Sequence, residues 1–305
     1  MRVIVVLAVL FSSCLPVFAQ ERYEGPIIDM HLHARFEVTQ EHRYCFPQPC
    51  VGDPTMAKSG DAIRPMTLEA MDRNNVVLGV VTDRTDRVLR WVETDAEKFM
   101  VGIRVRDPAE LDLSELRVML EFGRANIIGE VTSQYDDIPI DDPLLDPVFA
   151  LAHELDVPIL VHVAGLGGSS DFRSDLGNPL RLVPILGKYP GLRLYLENAG
   201  WPFLEEATAL MYQYPSVHAD ISIILHLTPP SVALAYLKGL IDNGLSSRIM
   251  FGSDQMIWPE VIDEAVDRIQ SADFLTAEQK GDILYNNAAR FLRLSDDQIA
   301  MHKDQ

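Results

Sequence analysis

Two histidines with the spacing of a metal site stand near the start of the chain, in the segment IDMHLH. Side chains two apart on a β-strand share a face, so Asp29, His31 and His33 are expected to point the same way. Two imidazoles arranged like this can hold one metal ion. The pair alone is weak evidence, because two unrelated histidines at a strand end would look the same.

Three further apolar runs each end in a residue of a type that binds metals. Glu130 closes one of these runs, His162 closes the next, and Asp254 closes the segment FGSD. A charged group at the end of a buried strand needs a partner, and a metal ion supplies one. Each residue also has a plainer interpretation: a salt-bridged carboxylate for Glu130, a buried structural histidine for His162, and a helix N-cap for Asp254. Together with the histidine pair they indicate a metal centre.

The elements that must position these residues follow from the hydrophobic pattern, in which short apolar runs alternate with longer amphipathic stretches. The candidate strands are Pro26–His33, Val76–Thr82, Met100–Arg104, Ala125–Val131, Val157–Val163, Leu192–Glu197, Val217–Ile221 and Arg248–Phe251. The candidate helices are Thr67–Arg73, Asp86–Glu97, Leu113–Arg124, Leu144–Leu155, Leu180–Tyr189, Phe203–Tyr214, Ser231–Asn243 and Glu260–Ser271. Eight of each predict an α/β fold, a single (β/α)8 TIM barrel.

An open doubly wound sheet is the alternative fold, but the glycine-rich signal after its first strand is missing. In a barrel, the carboxyl ends of all strands meet at one rim, so the candidate ligands are brought together there. We expect the long insertion at 34–66 to lie over this rim. Residues 276–292 should form helices that close the opposite end.

The amino terminus carries the pattern of an export signal. Residues 1–19 contain one cation, an apolar run too short to cross a bilayer, and a small-residue cleavage site, which predicts a signal peptide and a barrel domain at 20–305. A lipoprotein anchored through Cys14 ranks second, and a buried amino-terminal strand ranks third. Export predicts a periplasmic or secreted protein, free of the membrane after cleavage, in which Cys45 and Cys50 can form a disulfide.

Composition limits the partners. The 305 residues include 26 basic and 45 acidic side chains, for a formal net charge of −19. Such a chain is repelled by phosphate backbones, which argues against a nucleic-acid function. The expected partner is a small-molecule substrate, and a homo-oligomer is a reasonable prior.

These motifs resemble the metal-dependent amidohydrolase superfamily, and within it the amidohydrolase-related branch that includes lactone hydrolases and aminocarboxymuconate-semialdehyde-type decarboxylases. The resemblance covers essentially all of the chain after the signal. The matching segments are DMHLH at 29–33, GE at 129–130, His162, NAGWP at 198–202, FGSD at 251–254 and NNAARF at 286–291.

The resemblance implies roles for the residues at these positions. His31, His33, His162 and Asp254 match the ligands of a divalent metal, usually Zn²⁺, with Mn²⁺ as the alternative, and Asp254 also matches the general base. Glu130 matches a carboxylate that bridges two metals in some relatives. Metal-bound hydroxide, which is available near neutral pH, would be the nucleophile.

One position departs from the family pattern. The branch places a histidine at the end of strand 6, where this chain has Asn198. Alternation along the strand predicts that the preceding Glu197 faces away from the site. Asparagine cannot transfer protons near neutral pH as histidine can. We therefore expect one metal ion rather than two, with Asn198 polarising a substrate carbonyl.

Three further residues are candidates for substrate binding. Arg35 and Arg173 could each pair with a substrate carboxylate, although surface salt bridges are the plainer interpretation of both. Trp201 could wall the pocket or simply pack at the rim. The sequence thus predicts an exported hydrolase of an amide, ester or lactone-like bond. The alternatives are a non-oxidative decarboxylase of the same fold and a catalytically silent metal- or ligand-binding homologue.

Overall fold

Seven parallel strands form the centre of the computed structural model, which describes residues 22–37, 59–167 and 172–304. Each strand is hydrogen-bonded to the next in chain order. The strands are β1 (Ile27–His33), β2 (Val76–Asp83), β3 (Phe99–Val105), β4 (Ile127–Val131), β5 (Ile159–His162), β6 (Leu194–Glu197) and β7 (His218–Ala219). The predicted signal peptide, Cys14, Cys45 and Cys50 lie outside the described residues.

The eighth position of the barrel is filled by the segment that carries Asp254. The Met250 amide donates to Ala219 of β7 at 2.8 Å, and the Met30 amide of β1 donates to Phe251 at 2.9 Å. This segment pairs through isolated bridges rather than as a full strand, which corrects the predicted strand Arg248–Phe251. It still bonds to both neighbours, so the expected TIM-barrel fold is confirmed.

Twelve α-helices surround the strands. They are α1 (Gly60–Arg73), α2 (Thr85–Trp91), α3 (Leu113–Glu121), α4 (Asp146–Glu154), α5 (Val183–Lys188), α6 (Leu204–Gln213), α7 (Ser222–Leu227), α8 (Pro230–Asp242), α9 (Val261–Gln270), α10 (Ala277–Gly281), α11 (Asn287–Leu292) and α12 (Asp296–Lys303), counted over the described ranges. None of these helices has both the length and the apolar character needed to span a membrane.

Several predicted helix boundaries change. The first helix begins at Gly60 rather than Thr67, because Pro65 is accommodated inside it and does not break it. The described end of the predicted 34–66 insertion is therefore helical. The second helix ends at Trp91. Two helices, α7 and α12, were not predicted; α7 is only 6 residues long and directly follows a strand.

The core has two parts, one between the sheet and the surrounding helices and one inside the barrel. Inside, Ile28 and Met30 of β1 pack with Tyr285 and Phe291 from the carboxyl-terminal helices. The expected closing role of 276–292 is thus confirmed. These four side chains occupy the end of the barrel opposite His33.

Strand β1 does not alternate strictly. Its pairing with β2 shifts register between Asp29 and Leu32. Met30 therefore joins the inner cluster although His31 and His33 also face the site. The Asp29 carboxylate accepts the backbone amides of His31 and Ser253, each at 3.0 Å, and so ties β1 to the closing segment.

Candidate metal centre

The rim at the carboxyl ends of β1 and β4 brings three potential ligands together. One side-chain atom each from His31, His33 and Glu130 lies within 4.8 Å of the others, and all three residues are buried. Gly129 permits this approach, since its φ is +139° and a Cβ there would lie 2.6 Å from Leu160 Cβ. Any larger residue would push β4 away from β5.

Asp254 reaches the same point from the closing segment. Its Oδ1 lies 2.9 Å from His33 Nε2 and 3.4 Å from His31 Nε2. Burial would raise the pKa of this carboxyl, but the adjacent imidazoles of His31 and His33 hold it well below its usual range. Asp254 is therefore an ionised carboxylate in direct contact with both β1 histidines.

His162 and Glu130 form a buried pair across β5 and β4. His162 Nδ1 lies 2.7 Å from Glu130 Oε1, and its Nε2 lies 3.1 Å from the Leu166 carbonyl oxygen. Burial opposes charge on both groups, but their contact lowers the pKa of Glu130 to about 2 and raises that of His162. Both ring nitrogens of His162 have partners here, so its role as a metal ligand stays a prediction.

Asn198 is buried at the end of β6 and is held by the start of α7. Its Oδ1 accepts from Ser222 Oγ at 2.9 Å and from the Ile223 amide at 3.2 Å, while its Nδ2 lies 3.4 Å from His162 Nδ1. The backbone leaves the strand at this residue, with φ +66°. The side chain thus secures α7 beside the site, and its contact with a substrate carbonyl stays a prediction.

Glu197 faces the site, contrary to the expectation from alternation. The side chain is fully buried and its Oε1 lies 3.7 Å from His31 Nε2. Tyr195, two residues earlier, donates to Asp220 from the same side of β6. Strand alternation counted from Tyr195 would have placed Glu197 correctly; the error came from applying alternation to Asn198, which lies beyond the predicted strand Leu192–Glu197 and has a φ of +66°.

Asp220 is a site residue that the sequence analysis missed. It follows β7 and is fully buried, with Oδ2 at 3.3 Å from His31 Nδ1. Its Oδ1 accepts from the amides of Asn198 at 2.7 Å and Ser222 at 3.0 Å. In the sequence it lies inside the predicted strand Val217–Ile221, close to His218, and so does not stand out as a charged residue that closes an apolar run.

The candidate substrate-binding residues are spread out. Arg35 lies at the rim, with Nη1 at 3.6 Å from the buried Asp83 carboxylate. Arg173 forms an exposed ion pair with Asp175 at 2.6 Å, the surface salt bridge that was its plainer interpretation. Trp201 is half-buried and packs against the outer core. The structure therefore brings none of the three into contact with the ligand cluster within the described chain, and their roles in substrate binding stay predictions.

The donor set fits a divalent cation. His31 Nε2 is buried and has no hydrogen-bond partner among the described residues, although three carboxylates surround its ring. Imidazole nitrogens and carboxylate oxygens are ligands that Zn²⁺ and Mn²⁺ accept. On this donor chemistry, His31, His33, Glu130 and Asp254 would hold the ion.

Comparisons with known proteins show that the fold is shared. Two solved structures cover 88% of this chain: a probable 2-pyrone-4,6-dicarboxylic acid hydrolase from Acinetobacter baumannii (TM-score 0.64, 15% identity, 99% of that chain) and a 5-carboxyvanillate decarboxylase from Sphingomonas paucimobilis (TM-score 0.60, 15% identity, 99% of that chain). At this identity they show a shared fold.

The chain also matches known proteins in sequence. Protein fluG of Emericella nidulans is 25% identical over 220 residues, which are 65% of this chain, and the match spans only 25% of that relative's length. A family profile described as amidohydrolase matches residues 28–294, a range that includes every ligand candidate named above. The chain belongs to this amidohydrolase family and is an enzyme of the metal-dependent amidohydrolase superfamily.

Proposed function

We propose that this protein is a metal-dependent hydrolase that adds water to an amide, ester or lactone-like bond of a small molecule. The observation that carries the proposal is the buried Asp254 carboxylate in contact with both His31 and His33. A bound divalent ion would polarise the scissile carbonyl and make water more acidic. The protein's task is then to hold that ion and to take up the proton.

Each group has a defined part in this chemistry. His31, His33, Glu130 and Asp254 would hold the ion, and His162 keeps Glu130 in place through their 2.7 Å contact. Asp254 would accept the proton of the attacking water at Oδ1 and later deliver it to the leaving group. Zn²⁺ is the proposed metal, with Mn²⁺ as the alternative and one ion favoured over two.

Replacing Asp254 tests the proposal directly. We expect Asp254→Asn to lower kcat by about 10²–10⁴-fold at saturating metal, the usual contribution of a general base. The same change at the exposed Asp242 is the matched control and should leave kcat unchanged. Elemental analysis of the wild type after incubation with Zn²⁺ or Mn²⁺ should find at least one ion per chain. A wild type that binds no metal would contradict the proposal.

A substrate panel separates the hydrolase from its alternatives. Lactones, esters and amides of small carboxylic acids are assayed for ring opening or acid release, and aromatic acids are assayed for carbon dioxide. Turnover of the first group supports the hydrolase. Carbon dioxide release instead identifies a decarboxylase, and no turnover in a fully metal-loaded protein identifies a silent binding homologue.

We further propose that the chain is exported to the periplasm or secreted after cleavage behind Ala19, and that it works on a small molecule without binding nucleic acid. The support is the signal-peptide pattern of 1–19 and the formal net charge of −19. Intact-mass measurement of the exported protein should give a chain that begins at Gln20. A full-length chain confined to the cytoplasm would contradict this.

A further inference from the structure

Glu197 is an acidic side chain at the site whose two oxygens accept no hydrogen bond from the described residues. It is 0% exposed, and both Oε1 and Oε2 lack hydrogen bonds within the part of the chain that the structure describes. The other acidic side chains at the site do have hydrogen-bond partners. Glu130 contacts His162, Asp254 contacts His33, and Asp220 accepts hydrogen bonds from two backbone amides.

An unpartnered buried carboxylate is costly, because nothing replaces the water that it lost. A cation beside the carboxylate would remove the cost. The native fold keeps this group inside the barrel, which calls for a partner other than the residues that the structure describes.

The position of Glu197 points to where that cation sits. Glu197 pairs in register with His162 of β5, and its Oε1 lies 3.7 Å from His31 Nε2, the imidazole nitrogen that also lacks a hydrogen bond. Asp254 Oδ1 lies 3.4 Å from the same nitrogen. Glu197 and Asp254 thus each place a carboxylate oxygen within 4 Å of His31 Nε2.

Asn198 does not compete for this place, because its Oδ1 is already bound to Ser222 and Ile223 at the start of α7. We propose that Glu197 is a metal ligand, which with His31 Nε2 and Asp254 forms the β6 side of the metal centre where the chain lacks a strand-6 imidazole. The inference rests on the proposed metal dependence and adds to it a ligand that precedes the position expected from sequence.

Zinc affinity and metal-free stability together test this role. Protein stripped with a chelator is titrated with Zn²⁺ against a competing indicator, and its melting temperature is measured without metal. We expect Glu197→Gln to weaken zinc binding by about 100-fold or more, beyond the range usual for groups that merely orient a ligand. The metal-free variant should melt at the same temperature as the wild type or higher, because Glu197 accepts no hydrogen bond in the described chain that the substitution could remove.

Two further variants serve as controls. Glu69→Gln, the same change at an exposed position of α1, should leave both quantities unchanged. Glu197→Asp keeps a carboxylate on a shorter stem and should bind zinc more tightly than Glu197→Gln does. Glu197→Gln affinity within about threefold of the wild type would overturn the inference, as would a marked fall in metal-free melting temperature with affinity intact. A wild type that binds no zinc would overturn the proposed function as well.

Discussion

His31 is surrounded by acidic groups from three different elements of the barrel. Asp254 and Glu197 lie on its Nε2 side, at 3.4 and 3.7 Å, and Asp220 lies 3.3 Å from its Nδ1. Burial by itself would lower the pKa of this imidazole, but these carboxylates raise it well above the usual value. Asp220 and Ser222 hold the Nδ1 side, which leaves Nε2 directed at the metal centre.

Asp220 is therefore expected to act as a positioning residue. Asp220→Asn removes the charge that orients His31, so we expect zinc affinity to fall by about 10–100-fold, the usual effect of losing such a group. Asp242→Asn, an exposed change of the same kind, is the control. A purely structural role would instead lower the melting temperature of the metal-free protein and leave its zinc affinity unchanged.

Among the strands, irregular pairing coincides with the ligands. Register shifts occur in β1 between Asp29 and Leu32 and in β4 between Ile128 and Val131, which are the stretches that carry His31 and Glu130. A regular strand would place neighbouring side chains on opposite faces. Because of this local irregularity, these segments place side chains both in the inner core and at the site.

Gly129 is the position at which a substitution within a strand is expected to disturb the site most. Gly129→Ala adds a Cβ at φ +139°, only 2.7 Å from the Leu160 carbonyl oxygen, so β4 must move and take Glu130 with it. We expect a loss of about 2–4 kcal/mol in the free energy of unfolding, together with weaker zinc binding.

The matched control lies in α5. Gly187→Ala places its Cβ in open space within a helix, and we expect it to stabilise the protein by about 0.5–1 kcal/mol. Urea unfolding of both variants measures these changes. Equal stabilities for the two alanine variants would show that β4 is not packed against β5 as described.

At the scale of the whole molecule, partly buried histidines make stability depend on pH. Burial lowers the pKa of His218 in β7 to about 4, from a usual value of 6.5. The unfolded chain therefore binds more protons between these two values, and stability, complete above pH 6.5, falls as the pH drops towards 4. His226 of α7 shifts in the same direction, also to about 4.

His218→Phe isolates this contribution. The ring of His218 lies 4.8 Å from that of Phe291, so a phenyl group can occupy the same place. We expect the metal-free wild type to lose about 2 kcal/mol more than the variant between pH 7.5 and pH 5, measured by urea unfolding. Parallel losses in the two proteins would show that His218 does not stay neutral in the folded protein over this pH range.

Much of the site could be predicted because a parallel barrel imposes a simple geometry. All strands end at one rim, so residues that close separate apolar runs must meet there. This placed His31, His33, Glu130, His162 and Asp254 together from their positions alone, and the structure brings these five into one cluster.

Only the tertiary structure decided which way the remaining groups face. Glu197 was assigned to the wrong side because the chain leaves the strand at Asn198, where φ is +66°, and alternation no longer applies beyond that point. The partners of Asn198 and Asp220 come from α7 and β1, far away in sequence. The sequence by itself determined the barrel and the rim on which its ligands stand. Long-range contacts, which no local pattern encodes, determined which carboxylates turn towards His31.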